Sequence, residues 1–69
     1  MELYRFEYED TRDLPMTEIR RRASVVASEV LDMHRYVGCW SLVLISQSNT
    51  ANGRVFNFIV YEDFGGDAA

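Results

Sequence analysis

The residues with the clearest chemical potential are the single histidine and the single cysteine, His34 and Cys39. A cysteine nucleophile needs a base within hydrogen-bond reach and a third group that orients the base. The spacing puts these two residues on opposite sides of a predicted helix end, and no third group is evident. Because free cysteine is among the most buried residue types, we expect a core histidine and a small buried cysteine.

Two pairs of carboxylates are the next candidates for chemistry, Glu7 with Glu9 and Glu62 with Asp63. Both pairs fall on the surfaces or ends of predicted strands, where solvated charge is the ordinary role of such residues. No glycine-rich segment leads into a helix, as a phosphate-binding loop would. One histidine and one cysteine cannot complete a four-ligand zinc site. The sequence therefore predicts no enzymatic activity, no cofactor and no metal.

Three consecutive arginines, Arg20, Arg21 and Arg22, are the most unusual feature. They fall in the first turn of a predicted helix, where the helix dipole disfavours cations. In one interpretation Glu18 pairs with Arg22 one turn on, and acidic residues of the preceding loop neutralise the others. In the other, the arginines contact an acidic surface of a partner, since arginine often anchors interfaces. The acidic loop residues of the first interpretation are Glu9, Asp10 and Asp13.

The overall charge is acidic, with a formal net charge of −4 at pH 7. Proteins that bind nucleic acids neutralise phosphates with lysine and arginine, so direct nucleic-acid binding is not expected. The opposite idea is a protein that imitates nucleic acid. Antiparallel strands place their carboxyl ends apart, which divides the acidic residues and weakens that idea. The acidic residues concerned are Glu7, Glu9, Asp10, Asp13, Glu62, Asp63 and Asp67.

The composition is that of a globular domain, with 48% hydrophobic and 26% charged residues among 69. No segment approaches the roughly 18 apolar residues that span a bilayer, and residues 1–5 lack the basic and apolar regions of a signal peptide. We therefore expect a cytoplasmic protein without a membrane segment. At this size the gain from apolar burial nearly cancels the entropy cost of ordering the chain. Self-association or a partner is the expected supplement.

The first two predicted elements are a strand and a helix. Residues 3–9 alternate with period two, and Tyr4, Phe6 and Tyr8 share one face. Thr17 can cap the helix that follows, and Gly38 supplies its stop. The apolar stripe at steps of three and four is Ile19, Ala23, Val26, Ala27, Val30, Leu31, His34 and Val37.

Two further strands form a predicted hairpin. Residues 39–46 are nearly continuous in apolar side chains, which predicts a buried strand covered on both faces. A polar loop follows at residues 47–53, where Asn52 and Gly53 favour positive φ, and an aromatic strand covers about residues 54–62. We expect one domain at residues 1–63 and a flexible tail at residues 64–69.

The order of elements predicts an α+β fold, β-α-β-β, with a three-stranded sheet and one helix on one face. The preferred strand order is 1-3-2, with every neighbour antiparallel, and 1-2-3 is the alternative. The face beneath the helix is predicted to hold Tyr4, Phe6, Tyr8, Phe56, Phe58 and Val60.

The second face of the sheet is too apolar for a small monomer. The third strand presents Val55, Asn57, Ile59 and Tyr61 there, and the middle segment adds either Val43 and Ile45 or Trp40, Leu42 and Leu44. Large exposed apolar patches mark interfaces, and symmetric dimers are the commonest oligomers. We expect a homodimer, another protein as partner, or both. The candidate partner-binding residues are Arg20, Arg21, Arg22, Trp40, Val55, Ile59 and Tyr61.

Trp40 lies at the start of the predicted second strand of a small β-α-β-β chain, and this position is the basis of a resemblance to a known family. In this the chain resembles the dodecins, oligomeric flavin-binding proteins with a tryptophan at that place, although the last two strands are joined by a shorter connection here. The resemblance implies a flavin stacked on Trp40. The short, acidic, cysteine-poor format is also similar to that of phage-encoded inhibitors of host machinery, including anti-CRISPR proteins. The preferred hypothesis is a non-enzymatic module that binds and modulates or inhibits a macromolecule.

Overall fold

The computed structural model describes residues 1–63, and the predicted tail at residues 64–69 lies outside them. It contains β1 (Glu2–Asp10), α1 (Met16–Met33), β2 (Cys39–Thr50) and β3 (Gly53–Asp63). The three strands form one antiparallel sheet in the order β1-β3-β2, and α1 packs on one face of it. The predicted α+β class and the preferred 1-3-2 order are confirmed.

The core lies between α1 and the central strand β3. On β3, Phe56, Phe58 and Val60 alternate on the helix side and are fully buried. The stripe of α1 that faces them contains two alanines, Ala23 and Ala27, whose small side chains let the helix approach the sheet closely. Close packing of this kind is what makes burial stabilising. The other buried residues of the helix stripe are Ile19 and Leu31.

The edge strand β1 follows the predicted alternation. Tyr4, Phe6 and Tyr8 face the helix side and are half-buried, and the Phe6 ring stacks on Phe58 with 5.5 Å between centroids. The pairing with β3 shifts register between Glu2 and Tyr4. Leu3, in this irregularity, packs against the core instead of facing solvent.

The helix begins one residue before the expected cap. Pro15 occupies the N-cap position with extended backbone, and its carbonyl accepts the N–H groups of Glu18 and Ile19 at 2.9 and 3.0 Å. Thr17 is therefore an exposed residue of the first turn, and the prediction that its hydroxyl caps the helix is wrong.

The helix ends four residues earlier than the stripe suggests, so the prediction that Gly38 stops it is wrong. Arg35 takes the left-handed conformation with φ 58°, and the Tyr36 N–H donates to the Leu31 carbonyl at 2.9 Å. This is a Schellman ending, in which arginine stands where glycine is usual. Its hydrophobic contact is made by Tyr36, which packs against the cluster that contains Leu31. Val37, predicted to be buried, is 93% exposed.

The prediction that β2 is covered on both faces is wrong, because β2 is an edge strand. Its helix-side residues Trp40, Leu42 and Leu44 are half-buried, and Val43 and Ile45 on the other side are 42% and 48% exposed. A continuous apolar run fits a strand between two layers, but within residues 1–63 this sheet has one helix to cover it. No helix within residues 1–63 is long and apolar enough to span a membrane.

The hairpin between β2 and β3 is tighter than predicted. β2 continues to Thr50, which pairs with Gly53, so only two residues turn the chain. Gly53 has φ +157°, whereas Asn52 keeps negative φ, contrary to expectation. A Cβ on Gly53 would lie 2.2 Å from the carbonyl oxygen of Asp10. Glycine is required there because the backbone at the end of β1 lies so close to the start of β3 that no Cβ fits between them.

We expect Gly53→Ala to reduce the free energy of unfolding by more than about 1 kcal/mol, because the new Cβ collides with backbone as well as straining φ. Gly38→Ala is the matched control, with a similar φ of +146° but only the flexible Tyr36 side chain near its Cβ. Urea unfolding of both variants measures the difference. Equal losses would show that the contact with Asp10 does not constrain Gly53.

Candidate functional site

The candidate site is the sheet face that α1 leaves uncovered, which we call the open face. Directly opposite residues of antiparallel strands lie on the same face, so the strand register defines its members. Ile59 at its centre is flanked by Arg5 on β1 and Val43 on β2. The open face comprises Arg5, Glu7 and Glu9 of β1, Val55, Asn57, Ile59 and Tyr61 of β3, and Ser41, Val43, Ile45, Ser46 and Ser48 of β2.

Apolar side chains form a band across the open face. Val43, Ile45 and Tyr61 are 42%, 48% and 36% exposed, and Val55 is half-buried. Ile59 is only 5% exposed, because its neighbours on both sides cover it. Val55, Ile59 and Tyr61 thus share one sheet face, and Val43 and Ile45 add exposed apolar side chains beside them.

A hollow of about 370 Å³ lies beside this band. The register of β2 against β3 shifts at Ile45, so that Ser46 comes opposite Asn57 and its hydroxyl accepts the Asn57 amide at 3.0 Å. Arg5 and Glu7 line the opposite wall. The open face therefore combines an apolar band, a polar hollow and an acidic rim on β1.

Arg21 and Arg22 hold one carboxylate between them. Glu18 accepts the guanidinium groups of Arg21 at 2.5 Å and Arg22 at 2.8 Å. These hydrogen bonds lower the pKa of Glu18 from its ordinary 4.5 to about 2. The predicted pair of Glu18 with Arg22 is confirmed. Arg20 is exposed and has no ion pair within residues 1–63. The expected neutralisation by Glu9, Asp10 and Asp13 is wrong. Asp10 and Asp13 lie beside the guanidinium of Arg54, and Glu9 lies opposite Val55 on the open face, on the other side of the sheet from α1.

The structure does not gather all the predicted contact residues on one surface. Trp40 faces the helix side and packs on the cluster of Ala27, Leu31 and Val60, so its ring is not offered to the open face. The arginine triplet lies on α1, on the opposite side of the sheet from the open face. Val55, Ile59 and Tyr61 are the members that share one face.

His34 and Cys39 are both exposed, so the expectation of a core histidine and a buried cysteine is wrong. His34 follows the last residue of α1, and Cys39 is the first residue of the edge strand β2. Among residues 1–63, no element packs over either position. In the part of the chain that the structure describes, no three His, Cys, Asp or Glu side chains are grouped to hold a metal.

The sequence patterns do not reveal Asp10, which is the one buried charged residue within residues 1–63 and is 3% exposed. Its carboxylate accepts the N–H groups of Arg12 and Leu14 at 3.1 Å and the guanidinium of Arg54 at 2.6 Å. Arg54 also donates to the Leu14 carbonyl at 2.7 Å and lies over the Phe56 ring. The pair joins the end of β1, the following loop and the start of β3, and it closes one end of the core.

Burial alone would raise the pKa of Asp10, because it penalises the charged form. The hydrogen bonds from Arg54 and from the backbone of Arg12 and Leu14 together outweigh that effect, and the pKa lies below its ordinary value. The carboxylate is therefore charged at neutral pH and serves the fold. Arg54 lies opposite Asp10 in the strand register, a pairing that can be recognised only once the strand order is known.

No protein-family model, curated protein or solved structure matches this chain.

We expect Asp10→Asn to lower the melting temperature by about 10 °C or more, since it leaves Arg54 half-buried without its charged partner. Asp13→Asn is the matched control, because Asp13 lies 3.6 Å from the same guanidinium but is 97% exposed. Thermal unfolding followed by circular dichroism measures both. A loss for Asp13→Asn as large as that for Asp10→Asn would contradict the anchoring role of Asp10.

Acid should weaken the fold through Glu18. A carboxylate whose pKa is lower in the folded state stabilises it above the unfolded pKa, and this contribution disappears as pH falls through the folded pKa. We therefore expect stability to fall between pH 4.5 and about 2, and Glu18→Gln to flatten this part of the profile. Glu29→Gln, at an exposed position of the same helix, serves as control. If Glu18→Gln has the same pH profile as the unmodified protein, the ion pairs of Glu18 with Arg21 and Arg22 do not cause the loss of stability in acid.

Proposed function

We propose that this protein is a non-enzymatic interaction module that binds another protein through the open face. The observation that carries the proposal is the apolar band, in which Val43 and Ile45 are each more than two-fifths exposed beside buried Ile59. The fold leaves these side chains partly exposed, and contiguous exposed apolar surface is typical of interaction sites.

The charges around the band indicate what kind of partner fits. Glu7 and Glu9 line the β1 side of the open face, whereas the nearby Arg5 is held by Glu2 at 2.6 Å. The rim is therefore acidic, and a surface with an apolar centre and basic residues at one side would complement it. The polar hollow at Asn57 and Ser46 can hold interfacial water or a partner side chain.

The arginines on α1 offer a second, weaker contact on the opposite side of the domain. Arg20 is exposed and makes no ion pair within residues 1–63, whereas Arg21 and Arg22 already share Glu18. Arg20 is thus the member of the triplet best able to contact an acidic partner. One flat partner surface cannot reach both Arg20 and the open face.

The proposed consequence of binding is modulation or inhibition of the partner. A domain of 69 residues that carries a contact surface can act by occupying a surface that its partner needs. Inhibition of host machinery by a phage-encoded protein is one process of this kind. The acidic residues give less support to imitation of nucleic acid, because Glu2, Asp10 and Glu18 are paired with arginines of the same chain.

A photo-crosslinking amino acid at Val43 or at Val25 tests the proposed surface. Both valines are exposed, Val43 on the open face and Val25 on α1, at 42% and 48%. We expect the Val43 position to form a crosslink in cells to a specific protein other than a second copy of this chain, and the Val25 position to form none with that protein. Crosslinking at Val25 alone would move the site to the helix.

The captured protein is then purified for titration against substituted domains. Tyr61→Lys should weaken binding at least tenfold, because it places a charge in the apolar band, whereas Val25→Lys should leave binding unchanged. Added flavin serves as a second ligand in the same assay. Quenching of flavin fluorescence with no effect of Tyr61→Lys would favour a small-ligand binder over the proposed module.

A further inference from the structure

The two edges of the sheet differ sharply in charge. β1 carries five charged residues in nine, whereas the twelve residues of β2 include no charged residue and no proline. Charged side chains, prolines and β-bulges are means by which a sheet edge avoids pairing with another strand, and the one register shift of β2 against β3 lies at Ile45, at the end of its apolar segment. β2 has no charged side chain and no proline. Within residues 1–63 no strand pairs with the outer edge of β2, so the backbone groups there are available to a further strand.

The register shift at Ile45 divides β2 into two segments. Residues 39–45 contain most of its apolar side chains, and residues 46–50 are polar. Beyond the shift the alternation of faces changes phase, so a regular partner strand cannot match both segments. The apolar segment is the longer one and contains the half-buried Trp40, Leu42 and Leu44.

We infer that a second copy of this chain adds to the β2 edge, antiparallel, with Leu42 of the two copies facing each other. This register pairs the whole of residues 39–45 and keeps each face consistent. Trp40 then faces Leu44 of the other copy on the helix side, and Val43 faces Ser41 on the open face. The three half-buried residues of each copy then gain apolar neighbours from the other copy on the helix side.

The absence of charge selects a second copy over a foreign strand. A symmetric antiparallel pair sets two copies of the same strand against each other, which would be costly if the strand carried like charges. Pairing through β1 would instead gather glutamates, and pairing β1 with β2 would leave free edges that continue into a fibre. A symmetric β2 pair closes after two copies and produces a six-stranded sheet.

The oligomeric state of two lysine variants tests this pairing. Ser41 and Ser48 are both exposed serines on the open side of β2, but only Ser41 lies in the apolar segment. We expect the unmodified protein to be a dimer at tens of micromolar by light scattering, Ser41→Lys to raise the dimer dissociation constant at least tenfold, and Ser48→Lys to leave it unchanged. A monomeric unmodified protein, or equal effects of both variants, would overturn the inference.

Disulfide trapping tests the register itself, with Cys39→Ser as background. A mixture of Ser41→Cys and Val43→Cys chains should form a disulfide between the two variants, since facing Cα atoms lie about 5 Å apart. Either variant alone should crosslink at least tenfold more slowly, because diagonal positions exceed about 7 Å. Faster crosslinking of Val43→Cys with itself, or of a Ser48→Cys control, would contradict the Leu42 register. These readouts do not involve a partner protein and are independent of the proposed function.

Discussion

A single helix cannot cover both faces of a three-stranded sheet, and this limit determines how the domain uses its apolar residues. The domain has principal extents of 44 × 27 × 18 Å, so its smallest dimension leaves room for two layers only. α1 lies over β3, where Phe56, Phe58 and Val60 are fully buried, while the inward residues of both edge strands are half-buried. The remaining apolar side chains are left on the open face and at the β2 edge.

The buried ion pair between Asp10 and Arg54 fixes the register of this two-layer arrangement. Asp10 ends β1 opposite Arg54 near the start of β3, and Gly53 lets the two backbones touch. A slip of one residue would separate the buried pair and turn the aromatic residues of β1 toward solvent. The sheet face opposite the helix is therefore presented in one defined arrangement, which a binding surface requires.

The sequence patterns predict the elements and the strand order well, because period-two and helical spacing report directly which side chains face the core. They fail where a residue has a backbone conformation, or a strand has a position in the fold, that is unusual for its sequence. Arg35 takes the conformation expected of glycine because Tyr36 anchors the helix end, and β2 looks like a doubly covered strand although only one layer exists. The Asp10–Arg54 pair joins residues 44 positions apart, so it becomes visible only once the strand order places the ends of β1 and β3 together.

If the open face is the binding surface, it is covered when the protein does its work. Hydroxyl-radical footprinting of the protein in its native extract, compared with the dilute purified protein, tests this even when the partner is unidentified. We predict that oxidation of Tyr61 and Ile45 falls strongly in the extract, while Met33, 79% exposed on α1, stays reactive. Unchanged oxidation of Tyr61 and Ile45 together with protection of Met33 would contradict this role of the open face.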